Sequence, residues 1–150
     1  MQKPVNTPRE FFEQIVLPDC ADFLAHPDDL RLGFHACISL NQLTDWVYNA
    51  AVPPKPKDWR PTLRAKVPCL EQLRLIANNA KHFPSRDGEW VIGVSVADTR
   101  LGSDTAMLGF MRLDEPGREA VIAKASDGSD EAWLFKLVSE AVAFWNKEKF

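Results

Sequence analysis

The sequence lacks several features that would assign it to a familiar class of protein. Its three cysteines, Cys20, Cys37 and Cys69, are odd in number, widely spaced and without a CxxC pair, so they indicate neither a disulfide framework nor a zinc site. No apolar run approaches the ~20 residues that a membrane-spanning helix needs. Residues 1–6 lack the apolar region of a signal peptide. We therefore expect buried free thiols in a cytoplasmic protein with no membrane contact.

A basic surplus and the common catalytic motifs are also absent. The chain has 18 Lys and Arg against 21 Asp and Glu, a net charge of −3. Nucleic-acid-binding domains usually carry an excess of Lys and Arg, so any contact with RNA would have to be local. Glycine-rich phosphate loops, GxSxG and HExxH are missing as well. The sequence therefore indicates no cofactor and no metal.

What the sequence does contain is a strong helical periodicity followed by a β-rich stretch. Its 150 residues suit a single domain. We predict an α+β fold, mainly α: a four-helix bundle with a three-stranded antiparallel β-meander inserted before the last helix. The predicted helices are 8–25, 29–51, 68–83 and 130–147, the predicted strands are 89–97, 105–113 and 118–125, and a Pro-rich loop covers 52–64.

Several helix ends are marked by capping residues and prolines. Thr7 followed three residues later by Glu10 is typical of a capping box, and Asp28 or Asp29 can cap the second helix. Pro18 removes an amide donor and collides with the preceding turn, so it is predicted to stop or kink the first helix. Trp59, in the Pro-rich loop, either docks a partner or, as we prefer, pins the loop to the core.

The first candidate site lies at the end of the third predicted helix. Arg74, Asn78 and His82 follow one another at four-residue spacing on one helix face, and Lys81 lies beside them. In a catalytic interpretation, His82 is the acid/base, and Arg74 and Lys81 contact a phosphate group. The preferred alternative is that Asn78 and His82 make polar contacts with a neighbouring loop.

The second candidate site is a polar row on the long second helix, with Asp45 beside it. Residues at steps of three or four form this row: Arg31, His35, Ser39, Gln42, Trp46 and Asn49. If the two helices are antiparallel neighbours, His35 or Asp45 would face His82 and orient it as a general base. A solvated helix face is the competing interpretation, and we prefer it.

Four segments carry a resemblance to known sequences. They are 26–32, 43–47, 76–82 and 140–145, and they include DWV at 45–47, ANNAKH at 77–82 and AVAFW at 141–145. On these segments the chain resembles a group of small bacterial proteins in which a DWV helix is followed by an AN..KH helix and a closing AV.FW helix. That group has no established function to transfer.

More loosely, the helix order resembles that of HEPN domains, many of which are ribonucleases of toxin or phage-defence systems. The resemblance implies a dimeric, metal-independent endoribonuclease. In those enzymes an arginine precedes the catalytic histidine at a shorter spacing, whereas seven residues separate Arg74 from His82 here. Asn78 occupies the position at which an arginine would give the shorter spacing to His82. The arginine that stabilises phosphoryl charge in those enzymes is therefore missing from that position.

Two functions of different classes remain open. The preferred one is a non-catalytic binding or accessory module in which Asn78, His35 and Trp46 contact a partner, either a second copy of the chain or another protein. The alternative is an HEPN-like endoribonuclease that uses His82, Arg74, Lys81 and Asp45, although the net charge does not favour RNA.

Overall fold

A computed structural model describes residues 4–81, 90–96, 119–125 and 131–150 of the chain. These residues are mainly helical, with a small antiparallel sheet. The elements in chain order are α1 (Pro8–Phe11), a π-helical turn (Phe12–Val16), α2 (Leu17–Ala25), α3 (Leu30–Ala50), α4 (Trp59–Lys66), α5 (Pro68–Lys81), β1 (Trp90–Val96), β2 (Glu119–Ala125), β3 (Glu131–Trp133) and α6 (Leu134–Lys147).

α1, the π-helical turn and α2 form one continuous helical run. The predicted capping box is present: the Thr7 hydroxyl accepts from the Glu10 N–H, and the Glu10 carboxylate accepts from the Thr7 N–H. The run passes through Pro18 instead of stopping there. Leu17 N–H donates to the Phe12 carbonyl across the π-helical turn. This widened turn makes room for the proline ring, which would otherwise collide with the turn before it.

α3 begins at a capping aspartate and is packed closely over its first half. Asp29 Oδ1 accepts from the Leu32 N–H at 3.0 Å, and this bond supplies a partner to an amide that the helix itself leaves unpaired. Gly33 is buried, and a Cβ there would lie 2.8 Å from Cδ2 of Leu134 and 3.3 Å from Cε2 of Phe23. The glycine therefore lets α3 approach both α2 and α6.

The predicted Pro-rich loop at 52–64 is wrong over its second half, because α4 begins at Trp59. Pro61 occupies the first turn of α4, where an amide N–H has no partner within the helix and its loss costs little. α4 has no buried residue; Trp59 and Leu63 are partly buried against the core. The four prolines of 53–61 therefore do not make the whole stretch a loop.

The sheet pairs β1 with a strand that is distant in sequence. β1 is antiparallel to β2, from Trp90 opposite Ala125 to Val96 opposite Glu119, and β2 is antiparallel to the short β3. The predicted strand 105–113 lies outside the described residues, and neither the three-stranded meander nor the four-helix bundle is confirmed. α6 begins at Leu134 rather than at 130, because 131–133 hydrogen-bond to β2.

One hydrophobic core joins these elements. Its largest fully buried side chains include Trp133, Trp145, Phe12, Phe23 and Phe135, which come from α6, β3 and the first helical run. Phe150 packs edge-on against Phe12 and Trp145, and this contact holds the last residues next to α1. None of the helices within the described ranges has the length and apolar character that crossing a membrane requires.

Candidate functional site

The predicted row on α5 is described only in part. His82 lies outside the described residues, and Lys81 is the last residue of α5. Arg74 and Asn78 lie one helical turn apart on α5, and both side chains are half-buried. That Asp45 or His35 faces His82 therefore stays a prediction.

Arg74 forms a two-pronged ion pair within its own helix. Its Nε and Nη2 atoms lie 2.9 and 2.7 Å from the two carboxylate oxygens of Glu71. Arg64 of α4 approaches the same carboxylate, with 3.9 Å between its Nε and Oε2 of Glu71. Burial lowers the pKa of Arg64, and the nearby charge of Arg74 lowers it further, while Glu71 opposes the shift. Glu71 thus joins α4 to α5 by holding two guanidiniums.

Asp45 is paired with an arginine of α4. Arg60 Nη1 donates to Asp45 Oδ1, and the Arg60 guanidinium lies 4.5 Å from the centre of the Tyr48 ring. Tyr48 in turn stacks on Trp59, with the ring centres 6.3 Å apart. The carboxylate that was predicted to orient a histidine therefore fastens α4 to the end of α3. His35 is exposed and ten residues from Asp45, about 15 Å along the helix.

Trp46 has two roles at the end of α3. One face of its ring stacks on Phe11, with the centres 4.8 Å apart and the planes inclined by 9°. Trp46 also lines a surface pocket of about 580 Å³, which we call the polar pocket. The lining residues of the polar pocket are Asn6, Gln42, Asp45, Trp46, Asn49 and Ala50.

The polar pocket brings together part of the predicted row. Gln42, Trp46 and Asn49 share it with Asp45, as their spacing predicts. Ser39 does not belong to it: this side chain is buried and donates to the Ala36 carbonyl within α3. Asn6 was not predicted, since it precedes α1 and no sequence spacing relates it to α3.

A second concavity, of about 560 Å³, lies on the other side of Ala50. We call it the apolar groove. Its lining residues are Pro8, Val47, Ala50, Ala51, Val52, Pro53, Pro54, Lys55, Pro56, Trp59, Lys149 and Phe150. Val52 is 96% exposed, which is unusual for a large aliphatic side chain. Sequence reasoning identified Trp59 as a loop residue but missed the groove, because Lys149 and Phe150 are about a hundred residues away along the chain.

Charge around α4 differs in sign from that of the chain as a whole. Residues 45–66 include five Lys and Arg and two Asp, whereas the whole chain has a net charge of −3. α4 itself carries Arg60, Arg64 and Lys66 and no carboxylate. A local basic region therefore exists in spite of the acidic total. It lies beside both the polar pocket and the apolar groove, because Asp45 and Trp59 belong to these concavities.

The three cysteines are free and buried, as predicted. Burial raises the pKa of Cys20 to about 12 and that of Cys69 to about 11, and it raises the pKa of Cys37 as well. Thiols with such pKa values stay protonated near neutral pH and are poor nucleophiles. Within the part of the chain that the structure describes, no group of three or more His, Cys, Asp or Glu side chains is placed to hold a metal ion.

Known proteins provide no independent guide to the site. A scan of protein-family models, a search of curated proteins and a search of solved structures each found no match to this chain. The end of α3 brings together the polar pocket, the apolar groove and the ion pairs of Asp45 and Glu71.

Proposed function

We propose that this chain is a non-catalytic binding module that contacts a protein partner through the end of α3. The observation that carries the proposal is the adjacency of the polar pocket and the apolar groove, which share Ala50 as a common wall. Each has a volume within the range of about 300–1,000 Å³ that is typical of ligand sites. The first is lined mainly by polar side chains, and the second mainly by proline and other apolar side chains.

Such a surface suits a peptide segment. The amide groups of Asn6, Gln42 and Asn49 contain both a donor and an acceptor, the same pair of functions that a peptide backbone presents. The apolar groove offers proline and aromatic walls to the side chains of the segment. Its proline-rich wall has few accessible conformations, so ordering it on binding costs little entropy.

The engagement of the proposed catalytic groups supports binding over catalysis. Asp45 pairs with Arg60, and Arg74 pairs with Glu71, so these two members of the predicted catalytic set join helices or turns to one another. A carboxylate that orients a catalytic histidine is expected to accept a hydrogen bond from the imidazole. Here the carboxylate of Asp45 meets a guanidinium instead.

The HEPN-like endoribonuclease remains the second hypothesis, and the local basic region around α4 is the observation that favours it. Its test is direct. Purified protein and the variant His82→Ala are incubated with labelled RNA over a range of pH, without metal. Cleavage by the parent that is lost in the variant would establish the nuclease. RNA left intact by both proteins would eliminate it.

Selection from a library of random dodecapeptides displayed on phage tests the binding proposal. The immobilised protein is expected to enrich peptides that bind it. These peptides are expected to bind the Ala50→Arg variant at least roughly tenfold more weakly, because the long arginine side chain obstructs both concavities at the residue they share. Ala65→Arg, the same change at an exposed alanine of α4, is the matched control and retains binding. A library that enriches nothing, or peptides that bind Ala50→Arg as well as the parent, would refute the proposal.

A further inference from the structure

The charged residues that line the apolar groove have one sign. Both are lysines, Lys55 in the Pro-rich segment and Lys149 near the last residue, and no carboxylate side chain is among the lining residues that the structure describes. A groove with apolar walls and two lysines among its lining residues favours a ligand with apolar groups and carboxylates. The positions of the lysines therefore restrict the chemistry of the partner.

Neither lysine has its charge neutralised by a neighbour. Lys55 Nζ lies 4.5 Å from the centre of the Trp59 ring, where the electron-rich face of the indole attracts a cation without cancelling its charge. Within the described residues, no ion pair involves Lys55 or Lys149. An incoming carboxylate therefore has no competing acidic side chain to displace, which differs from the situation at Arg60 and Arg74.

The walls of the groove favour an extended ligand. Val52, Pro53 and Pro54 are exposed and line the groove together with Trp59 of α4. Grooves lined by proline and aromatic side chains accommodate extended chains, whose side chains stand out at regular intervals along the backbone. Such a chain continues past Ala50 to the amides of the polar pocket.

The surrounding charge favours the same partner at long range. Residues 45–66, from Asp45 to the last residue of α4, have a net charge of +3, and the remaining residues of the chain sum to −6. An acidic segment is therefore attracted to the α3–α4 end and repelled by the rest of the chain, which raises the rate of productive encounters.

From these observations we infer that the apolar groove binds an extended acidic segment of a partner protein, with its apolar side chains against Val52 and Trp59 and its carboxylates on Lys55 and Lys149. The inference rests on the proposed binding function and names the chemistry of the partner. It goes beyond the function in predicting sign of charge, conformation and two specific contacts.

The peptides enriched by the phage library test the inference in two ways. Their sequences are expected to contain an excess of Asp and Glu over Lys and Arg. Synthetic versions of these peptides are expected to bind the protein variant Lys55→Gln/Lys149→Gln a few-fold more weakly than the parent. They are expected to bind Lys55→Glu/Lys149→Glu at least roughly tenfold more weakly. Binding also weakens at high salt, because counterions screen charges at an exposed rim.

A matched control separates local charge from total charge. Arg31→Glu/Lys124→Glu changes the net charge by the same amount at two exposed cations that lie outside the groove and outside the basic region around α4, and it is expected to retain most of the affinity. Thermal unfolding of each variant checks that the fold is intact.

The possible failures are distinguishable. If the enriched peptides depend on Ala50 but show no acidic excess, or bind the Lys55→Glu/Lys149→Glu variant as well as the parent, the acidic partner is refuted and the binding function stands. If the control pair loses as much affinity as the groove pair, total charge governs binding and the two assigned contacts are wrong. If no peptide is enriched, the proposed function fails first.

Discussion

The two ends of α3 belong to one helix but differ sharply in their surroundings. At the first end Ala36, Cys37 and Leu40 are fully buried, and Gly33 is in close contact with α2 and α6. At the second end Asn49 and Ala50 are exposed and two concavities open beside them. We refer to these as the packed end and the open end. Close packing fixes the helix axis, so the side chains of the open end have a rigid support.

Buried apolar side chains and exposed charged side chains of α3 have different effects on stability. Buried apolar area is the main stabilising contribution in folding, and along α3 it comes from Ala36, Cys37 and Leu40 and, nearer the open end, from Leu43 and Val47. Exposed ion pairs contribute little to stability, and the pair between Arg60 and Asp45, with side chains 38% and 44% exposed, lies at the open end. Substitutions at the two ends should therefore differ in size and in kind.

The largest expected effect is that of Leu40→Ala at the packed end. Removal of a fully buried leucine side chain leaves a cavity and is expected to lower the free energy of unfolding by about 2–5 kcal/mol. Asn49→Ala at the open end is the control and should change it by less than about 0.5 kcal/mol. Urea unfolding monitored by circular dichroism measures both. Equal losses would mean that the two ends are not packed differently.

A smaller loss is expected for Gly33→Ala. In an open helix this change would raise stability by about 0.5–1 kcal/mol. Here the added methyl would lie 2.8 Å from Leu134 Cδ2 and 3.3 Å from the Phe23 ring, and overpacking of a core costs about 1–3 kcal/mol. We expect a net loss of about 1 kcal/mol in the same urea experiment. A gain would show that Leu134 can move aside and that the packed end is looser than its contacts indicate.

At the open end, Asp45→Asn is expected to cost only about 0.2–1 kcal/mol, because the ion pair with Arg60 is exposed to water. A double-mutant cycle with Arg60→Gln isolates the coupling between the two side chains. High salt should reduce that coupling. A coupling energy well above 1 kcal/mol would contradict the weak, solvent-exposed ion pair expected here.

The smallest expected effect concerns pH and the cap of the packed end. The hydrogen bond from the Leu32 N–H lowers the pKa of Asp29, and the charge of Arg31 lowers it further. A carboxyl whose folded-state pKa is lowered stabilises the fold above its ordinary pKa of ~3.9, and this contribution is lost as pH falls through the folded-state value. The melting temperature of the parent should therefore drop more on acidification than that of Asp29→Asn. Parallel pH profiles would contradict this role.

Local features of the fold could be predicted because their causes lie within one helical turn. Thr7, Glu10 and Asp29 cap helices through bonds to amides three residues away, and these bonds are present. Misplaced boundaries have an equally local cause. The chain at 59–64 looks like a continuation of the Pro-rich loop until Pro61 is seen to occupy a first helical turn. Proline density by itself does not distinguish these two cases.

The candidate site could be predicted only along α3. A spacing of three and four residues places Gln42, Asp45, Trp46 and Asn49 on one helix face, and the polar pocket contains all four. Asn6 completes the same pocket from before α1. The partner of Asp45 proved to be Arg60, fifteen residues further along the chain, rather than a histidine of the described helices. Which side chain meets a carboxylate depends on how helices pack, which helical spacing does not specify.

By itself the sequence determined the helical character and the caps, because both follow from residues close together in the chain, and it indicated buried thiols because free cysteine is usually buried. Tertiary structure alone decided that β1 pairs with β2 and that Pro8, the 50–59 segment and Phe150 enclose one groove. The physical reason is that burial of apolar area favours many arrangements of the same helices. Only close packing, at contacts such as Gly33 against Leu134 and Phe150 against Phe12, selects the arrangement that forms the groove.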